Sequence, residues 1–400
     1  MKKILIIGGG FAGIKCALDL EKSGLKDSKI TLVSNMSHFE YHALLYRVVT
    51  GVSPLEVCIS LNQIFKNKHV EVVKDEIAEV DIYNKQALAS SQSRYTFDYL
   101  VLALGSETDY FNVQGLQKNA FTLKTTDDAL KLKRHVHNLF CNCEKNAETM
   151  HLVIVGAGPT GVELSAQLAA YSRSLAKMYK TNPSLVSIDL FERESQVIPR
   201  FPAEVSQKIE QRLRLLGVNV YLNQPIVKED FDQVYLKDMQ IKTHTVVWTS
   251  GVKANHLYSQ IKGLELDNRG RVIVNDLLQA KNFTNVYIAG DGAATKYSGM
   301  AHTAIIDGSF VAQQLVSDVT NQHDKKYIPQ KPQYIIPVGP GWAVFVSDNI
   351  KLYGRLAWII KLLRDLSNFM LFLPFEKALT VLRYGKVLEE TCEVCNVAHD

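Results

Sequence analysis

The chain has 400 residues, of which 46% are hydrophobic and 22% charged, values typical of a globular protein with more than one domain. The formal net charge of +4 is small for this length and gives no indication of nucleic-acid binding. Six cysteines are too few and too scattered for a disulfide scaffold, so a reducing, cytoplasmic environment is expected. No apolar stretch reaches the roughly 18 residues that cross a bilayer, so any membrane association must be from one side.

The first element predicted is a buried parallel strand, Ile4 to Ile7, that runs directly into a glycine-rich turn and then a helix. In a dinucleotide-binding fold the first glycine makes the turn and the second lets the backbone approach a pyrophosphate. The third lets helix and strand pack closely. The predicted cofactor-binding residues of this turn are Gly8, Gly10, Phe11, Ala12 and Gly13.

The next strand, Lys29 to Val33, ends in Ser34 and Asn35, where an acidic residue is expected to bind an adenosine ribose. A hydroxyl or amide still offers the ribose a hydrogen bond, but without a full charge. FAD is therefore expected here with a weakened ribose contact. Residues 37–51 form an aromatic-rich loop that either covers a flavin ring or packs as an ordinary loop. Its two histidines, His38 and His42, are expected to be structural.

A second strand, turn and helix follow at residues 151–161, and two dinucleotide sites in one chain suggest a bound flavin and an exchanging nicotinamide. The predicted residues of this turn are Gly156, Gly158, Pro159 and Gly161. Its companion strand, Val186 to Phe191, ends in Glu192. A carboxylate there accepts from both ribose hydroxyls and repels a 2'-phosphate, which favours NADH over NADPH, although Arg193 partly offsets that repulsion.

Later strands also end at glycines. Strands are predicted over 70–83, 95–103, 245–251 and 285–291, and a helix over 122–139. Gly105 and Gly251 follow two of these strands. The last strand closes on Gly290 and Asp291, a pattern that places a carboxylate near the ribityl chain of a flavin, although a simple Gly-Asp turn gives the same sequence.

Three segments, GPTGVE, VVWTSGV and AHTAIIDG, stand in the order and context found in the type II NADH dehydrogenases, single-subunit NADH:quinone oxidoreductases, and the chain resembles that family over nearly its whole length. The resemblance implies an α/β fold with two Rossmann-type domains and a C-terminal amphipathic helical membrane-binding segment. Its implied boundaries are 1–115 and 271–330 for FAD, 116–270 for NADH and 331–400 for the membrane segment.

The resemblance also implies which residues bind each nucleotide. FAD contacts are implied for Gly8, Gly10, Phe11, Ala12, Gly13, Ser34, Asn35, Gly105, Asp291, Ala301 and His302. NADH contacts are implied for Gly156, Gly158, Pro159, Gly161, Glu163, Glu192 and Gly251. Glu163 is given a role in proton delivery or in the nicotinamide and quinone sites, and the alternative is a carboxylate that only stabilises the helix N-terminus.

The quinone motif departs from the family pattern, because two glutamines of AQTAxxQG are His302 and Asp307 here. Reducing a quinone to a quinol requires two protons, and a histidine beside a carboxylate is a suitable donor. The hypothesis is that His302 and Asp307 form a proton-delivery pair. The alternative is an altered acceptor, such as a differently substituted naphthoquinone.

The C-terminal seventy residues combine leucines at helical spacing from Leu352 to Leu366 with basic residues from Lys351 onward and Trp358. FMLFLPF (369–375) and residues 377–383 continue the pattern. A helix lying in the membrane interface accounts for it, and the alternative is packing on its own domain or in a dimer. Lys361 matches a family lysine near the quinone entrance, and a homodimer on the cytoplasmic face of the membrane is expected.

No metal site is predicted. Cys141 and Cys143 have a spacing that suits neither a metal nor a redox pair, and Cys392, Cys395 and His399 offer too few ligands for a complete site, although a redox pair remains open.

The predicted reaction is hydride transfer from NADH to FAD and then two-electron reduction of a membrane quinone, without proton pumping. The alternatives are a related flavoprotein with another acceptor, such as a sulfide:quinone oxidoreductase, and a low-turnover NADH-binding signalling flavoprotein. The first requires a cysteine pair at the flavin, for which Cys16, Cys58 and Cys141 lack the motif. Disulfide reductases are disfavoured because no CxxxxC follows the first helix.

Overall fold

The computed structural model describes residues 1–142, 149–320, 322 and 325–384, and it alternates strands and helices from the first residues onward. The strands are β1 (Lys2–Ile7), β2 (Ser28–Ser34), β3 (His38–Glu40), β4 (Cys58–Ser60), β5 (Val70–Lys74), β6 (Ile77–Asp81), β7 (Gln86–Ala89), β8 (Arg94–Thr96), β9 (Tyr99–Leu102), β10 (Ser106–Thr108), β11 (Met150–Val155), β12 (Val186–Phe191), β13 (Val218–Tyr221), β14 (Ile226–Asp230), β15 (Gln233–Leu236), β16 (Gln240–Lys242), β17 (Val246–Trp248), β18 (Val252–Ala254), β19 (Val286–Ile288), β20 (Tyr334–Pro337), β21 (Ala343–Val346) and β22 (Lys351–Gly354). The helices are α1 (Phe11–Lys22), α2 (Leu45–Val49), α3 (Leu61–Ile64), α4 (Leu116–Asn119), α5 (Thr126–Asn142), α6 (Pro159–Met178), α7 (Ala203–Leu215), α8 (Leu257–Gln260), α9 (Ala301–Thr320), α10 (Arg355–Met370) and α11 (Phe375–Tyr384).

The first glycine-rich turn leaves the centre of a five-stranded parallel sheet with the order β19-β9-β1-β2-β5. Its central strands are buried runs of aliphatic residues, as expected for a parallel sheet covered on both faces. Helices α1 and α9 pack so closely at Gly308 that a Cβ added there would lie 2.2 Å from the carbonyl oxygen of Ala12. Only a glycine allows this approach. The late strand β19 therefore completes a sheet that the N-terminal residues begin.

The second glycine-rich turn leaves a four-stranded parallel sheet with the order β13-β12-β11-β17. The two sheets repeat the same register: Ile7 lies opposite Val33 in the first, and Val155 lies opposite Phe191 in the second. The residues that follow Val33 and Phe191 therefore occupy equivalent places beside the two turns.

The C-terminal region is an antiparallel sheet, β20-β21-β22, followed by α10 and α11. The predicted helix from Lys351 was wrong at its start, because residues 351–354 pair with β21 and the helix begins at Arg355. Within 369–375, Phe369, Phe372 and Leu373 are buried in the core and do not face outward. No helix in the described part of the chain is both long and apolar enough to cross a membrane.

Several predicted segments contain more elements than expected, and one predicted helix begins later. The stretch 37–51 contains β3 and α2, and the strands expected over 70–83 and 95–103 each divide into two. The helix expected from residue 122 begins at Thr126, because Asp128 accepts hydrogen bonds from the backbone of Lys124 and Thr125 and ends the preceding loop. Cys143, Cys392, Cys395 and His399 lie outside the described residues, and the predicted domain boundaries stay a prediction.

Candidate active site

The turn at Gly8 has the shape that a bound pyrophosphate needs. Gly8 adopts a φ of +119°, and a side chain on Gly13 would lie 2.0 Å from its carbonyl oxygen. Gly10, by contrast, has no atom within 4 Å of a Cβ built on it, and no side chain caps helix α1. The N-terminal amides of α1 therefore face open space, which suits a phosphate group.

The turn at Gly156 repeats this arrangement. Gly156 has a φ of +102°, and a side chain on Gly161 would lie 1.9 Å from the oxygen of Gly156. Open space again surrounds Gly158, and Pro159 occupies the first position of α6, where its missing N–H costs nothing. Both turns therefore fit the pyrophosphate of a dinucleotide.

The residues beside the two turns differ in charge. Ser34 is buried, and its Oγ would lie 2.4 Å from a Cβ on Gly9, whereas Asn35 is exposed. At the equivalent place in the second sheet, Glu192 accepts hydrogen bonds from the backbone N–H of Ala157 (2.7 Å) and of Glu194 (3.0 Å). The carboxylate is thus fixed beside the second turn, and a hydroxyl stands in its place beside the first.

Asp291 lies at the end of β19 in a short turn, Gly290 to Gly292, and its Oδ2 accepts a hydrogen bond from Ser106 Oγ at 2.8 Å. Lys124 donates to the same hydroxyl at 3.2 Å, and burial lowers the pKa of that lysine. Gly105 and Gly251 directly precede β10 and β18, which pair with each other. The structure therefore brings the exits of both large sheets together near Asp291.

Phe11 differs from the other predicted residues of the first turn. Its ring is buried against Phe39 (centroids 4.8 Å apart), Tyr41 (5.3 Å) and Phe372 (6.1 Å). Ala12 is buried beside it. The ring of Phe11 therefore anchors the turn to the C-terminal region.

The hypothesis that His302 and Asp307 form a proton-delivery pair stays a prediction, and the structure gives Asp307 other hydrogen-bond partners. Asp307 is completely buried, and its carboxylate accepts hydrogen bonds from the backbone N–H of Gly290 (3.1 Å) and from the Tyr327 hydroxyl. Five residues along a helix correspond to a rotation of about 140°, so the two side chains leave α9 in different directions. Among the described residues no hydrogen bond or ion pair joins them.

The fold shifts the pKa values of Asp307 and His302 in opposite directions. Burial raises the pKa of Asp307 to about 6, and burial together with the charge of Arg364 lowers the pKa of His302. His302 and Ala301 lie half-buried at the N-terminal end of α9. Asp307 therefore braces the turn at Gly290, and His302 is a neutral group at neutral pH.

Glu163 and Lys361, which the sequence separates by nearly 200 residues, act electrostatically on each other in the fold. Burial raises the pKa of Glu163 to about 8, the nearby charge of Lys361 lowers it, and that of Asp365 raises it. Lys361 Nζ lies 2.5 Å from Asp365 Oδ2 on the inward face of α10, and both side chains are less than 10% exposed. Trp358 lies under the ammonium group, with its ring centre 5.6 Å away.

A second buried ion pair belongs to the same group of charges, and the sequence did not predict it. Arg47 Nη1 lies 2.6 Å from Glu56 Oε1, and Glu56 is fully buried. Burial raises the pKa of Glu56 to about 7, against the charges of Arg47 and Lys361. The hydroxyl of Tyr46 has a pKa well above its usual range because of burial and the charge of Glu163. No periodicity in residues 46–56 marks these side chains as buried.

The comparisons with known proteins agree with this architecture. Residues 2–308 match the family described as pyridine nucleotide-disulphide oxidoreductase, and the chain belongs to that family. A type II NADH:quinone oxidoreductase of Mycobacterium tuberculosis is 27% identical over 398 residues, covering 92% of this chain and 85% of the relative. One from Haemophilus influenzae is 29% identical and covers 74% of each chain. These relatives confirm the predicted resemblance to the type II NADH dehydrogenases.

Solved structures show the same fold. NDH2 from Plasmodium falciparum, in a complex with NADH, has a TM-score of 0.86 at 19% identity and covers 96% of this chain and 97% of its own. The sulfide:quinone oxidoreductase of Aquifex aeolicus has a TM-score of 0.78 at 17% identity, with 91% and 90% covered. The predicted mixed α/β fold is therefore confirmed.

Proposed function

We propose that this protein is an FAD-dependent NADH:quinone oxidoreductase that passes two electrons to a membrane quinone without pumping protons. The observation that carries the proposal is the pair of helix N-termini, each open at its second glycine, in a chain whose relatives are named for this reaction. Bound FAD would supply the two-electron chemistry between nicotinamide and quinone.

The residues of the two turns would bind and distinguish the nucleotides. Gly10 and the amides of α1 would hold the FAD pyrophosphate, with Ser34 beside its ribose and Asp291 near its ribityl chain. Gly158 and Glu192 would hold NADH in the same way, and the negative charge of Glu192 would oppose a 2'-phosphate.

Glu163 is the group best suited to hold a proton for the reaction. With a pKa of about 8 its carboxyl group is protonated at neutral pH, and it can release that proton as the local charge changes. Burial raises that pKa, and Lys361, ion-paired with Asp365 on α10, lowers it. Lys361 and Glu163 together would therefore control when a proton is available to a quinone.

Helix α10 supports docking at a membrane surface because its polarity is reversed relative to an ordinary surface helix. Its buried face carries the Lys361–Asp365 ion pair, and its outward face carries Leu356 (66% exposed), Ile359 (51%) and Leu363 (62%). Outward apolar side chains favour insertion into the interface between headgroups and acyl chains. We propose peripheral attachment on the cytoplasmic face and a homodimeric assembly.

Stopped-flow absorbance of the FAD-loaded protein tests the reaction. Anaerobic mixing with NADH is expected to bleach the flavin rapidly, and a menaquinone or ubiquinone analogue is expected to restore its colour. Bleaching without reoxidation by quinone would refute a quinone acceptor, and sulfide-dependent bleaching would favour the sulfide:quinone alternative. Bleaching with only slow steady-state turnover would favour a signalling role.

Two matched variants separate the nucleotide sites. Gly10 and Gly158 have φ angles of −89° and −70°, which any residue adopts, and open space in place of a Cβ. Gly158→Val is expected to keep FAD but lose bleaching by NADH, because its side chain fills the predicted pyrophosphate position. Gly10→Val is expected to lose FAD while NADH still binds. Loss of the same ligand from both variants would contradict the assignment of the two turns.

A further inference from the structure

A compact cluster of metal-ligand side chains lies on the small antiparallel pair β3 and β4, whose Phe39 packs against Phe11 of the first turn. His38 and Glu40 alternate along β3, so their side chains share one face of the ribbon. Cys58 on β4 lies directly opposite Glu40 in the strand register. The pairing of the strands thus places three different donor types together.

The donor atoms of His38, Glu40 and Cys58 lie close together, at separations that would contract when a metal ion binds. His38 Nε2 lies 3.4 Å from Glu40 Oε1, and the ligand atoms of His38, Glu40 and Cys58 all lie within 4.8 Å of one another. His42 Nε2 approaches the other oxygen of the carboxylate, Glu40 Oε2, at 3.6 Å. Ligands bound tetrahedrally to zinc at about 2.0–2.3 Å are separated from one another by about 3.3–3.8 Å.

Thr126, the first residue of α5, orients two of these groups. Its backbone N–H donates to Glu40 Oε1 at 3.0 Å, and its hydroxyl lies 3.1 Å from Cys58 Sγ. A carboxylate oxygen has two lone pairs, so Glu40 can accept from Thr126 and still bind a cation. Metal ligands are commonly oriented by such hydrogen bonds from neighbouring residues.

The exposure of the four side chains also suits a metal ion near the surface. The side chain of Glu40 is only 7% exposed and that of His38 is 28% exposed, whereas His42 is 53% exposed. A cation therefore has a route in from the side of His42 and a largely enclosed position against Glu40. Sulfur, imidazole and carboxylate together favour zinc over magnesium or calcium.

We propose that His38, Glu40 and Cys58 bind a zinc ion, with His42 as the fourth ligand. Four protein ligands leave no open coordination position, so the site is structural. The ion would join β3 and β4 and, through Thr126, helix α5. It would also hold Tyr41, which accepts a hydrogen bond from Asn368 of α10 at 2.7 Å. This proposal does not depend on the proposed reaction.

Metal analysis and zinc X-ray absorption of the untagged, FAD-loaded full-length protein test the proposal. About one zinc per chain is expected, with one sulfur scatterer at about 2.3 Å and nitrogen or oxygen scatterers at about 2.0–2.1 Å. Cys58→Ser is expected to remove the sulfur scatterer and lower zinc affinity at least about tenfold. His42→Ala is expected to weaken binding without removing the sulfur.

Two controls decide where any zinc is bound. Cys141→Ser changes an exposed thiol far along the chain and should leave zinc content and the sulfur signal unchanged. Cys392→Ser with Cys395→Ser removes the two C-terminal thiols and should also change neither. A protein without zinc, zinc without a sulfur ligand, or a sulfur signal that survives Cys58→Ser would overturn the proposal.

Discussion

The ion pair inside α10 allows a quantitative test of how the C-terminal helix is held. Lys361 Nζ and Asp365 Oδ2 are 2.5 Å apart, with side-chain exposures of 6% and 8%. Lys361→Met keeps the length of the side chain but leaves the Asp365 carboxylate buried without its cation. The expected loss in the free energy of unfolding is about 3–5 kcal/mol.

Lys361→Met combined with Asp365→Leu provides the control. An apolar pair of similar volume removes the buried charge, so its expected cost is within about 1 kcal/mol of the parent. The comparison is best made at pH 6. There Glu163, with its pKa of about 8, is largely protonated and uncharged, so removing Lys361 does not also remove an attraction to a Glu163 carboxylate. Each single change and the double change together form a double-mutant cycle.

Urea unfolding of the FAD-loaded protein, followed by circular dichroism, measures these differences. A loss below about 1 kcal/mol for Lys361→Met alone would refute the view that the pair is buried and mutually dependent. The same variant has a functional readout. Because the charge of Lys361 lowers the pKa of Glu163, Lys361→Met is expected to move the pH profile of quinone turnover upward. The shift is expected to be smaller in the double variant, which also removes the opposing charge of Asp365.

Three further outcomes are expected. The carboxyl group of Glu163 binds its proton more tightly in the folded protein than its ordinary value of 4.5 allows, so its contribution to stability is complete below pH 4.5 and is lost as the pH rises through about 8. Glu163→Gln is expected to flatten this decline, which is at most about 1.4 kcal/mol per pH unit, and an unchanged slope of unfolding free energy against pH would contradict the raised pKa of this group. Glu192→Gln is expected to reduce the preference for NADH over NADPH, measured as kcat/KM, by about tenfold, equivalent to ~1.4 kcal/mol, and a preserved ratio would show that the charge does not select the nucleotide. Ile359→Glu with Leu363→Glu is expected to abolish flotation with anionic liposomes while leaving NADH-dependent flavin bleaching intact, and retained flotation would place the membrane contact elsewhere.

The parts of this structure that depend on local pattern were predictable from sequence. An aliphatic run such as Ile4 to Ile7, ending in glycines, defines strand, turn and helix within a few residues. The comparison of Ser34 with Glu192 also followed from spacing, and the equal strand registers explain why it holds. Local sequence was sufficient there because the pairing of adjacent parallel strands places the residue after each second strand beside its glycine-rich turn.

The parts that depend on how helices face one another were not predictable. The leucine pattern of α10 indicates an amphipathic helix, but the sequence does not show that Lys361 and Asp365 point inward. The sequence also did not show that rotation along α9 turns His302 and Asp307 in different directions, or that Tyr327, from the segment after α9, donates to the Asp307 carboxylate. Arg47 and Glu56 meet only because the intervening turn brings them together, for which no motif exists.

The reversed polarity of α10 limits how a water-soluble form of this protein could be made. Deleting the C-terminal helices would remove Phe369 and Phe372 from beneath Tyr41 and Phe11, and so would loosen the turn that begins the first nucleotide site. A more soluble form would have to come from polar substitutions of the exposed side chains of α10 alone, such as Leu356, Ile359 and Leu363. The proposed lipid-facing side chains and the aromatic rings that pack beneath the first turn belong to one helical segment, and only the former can be changed without loosening the turn.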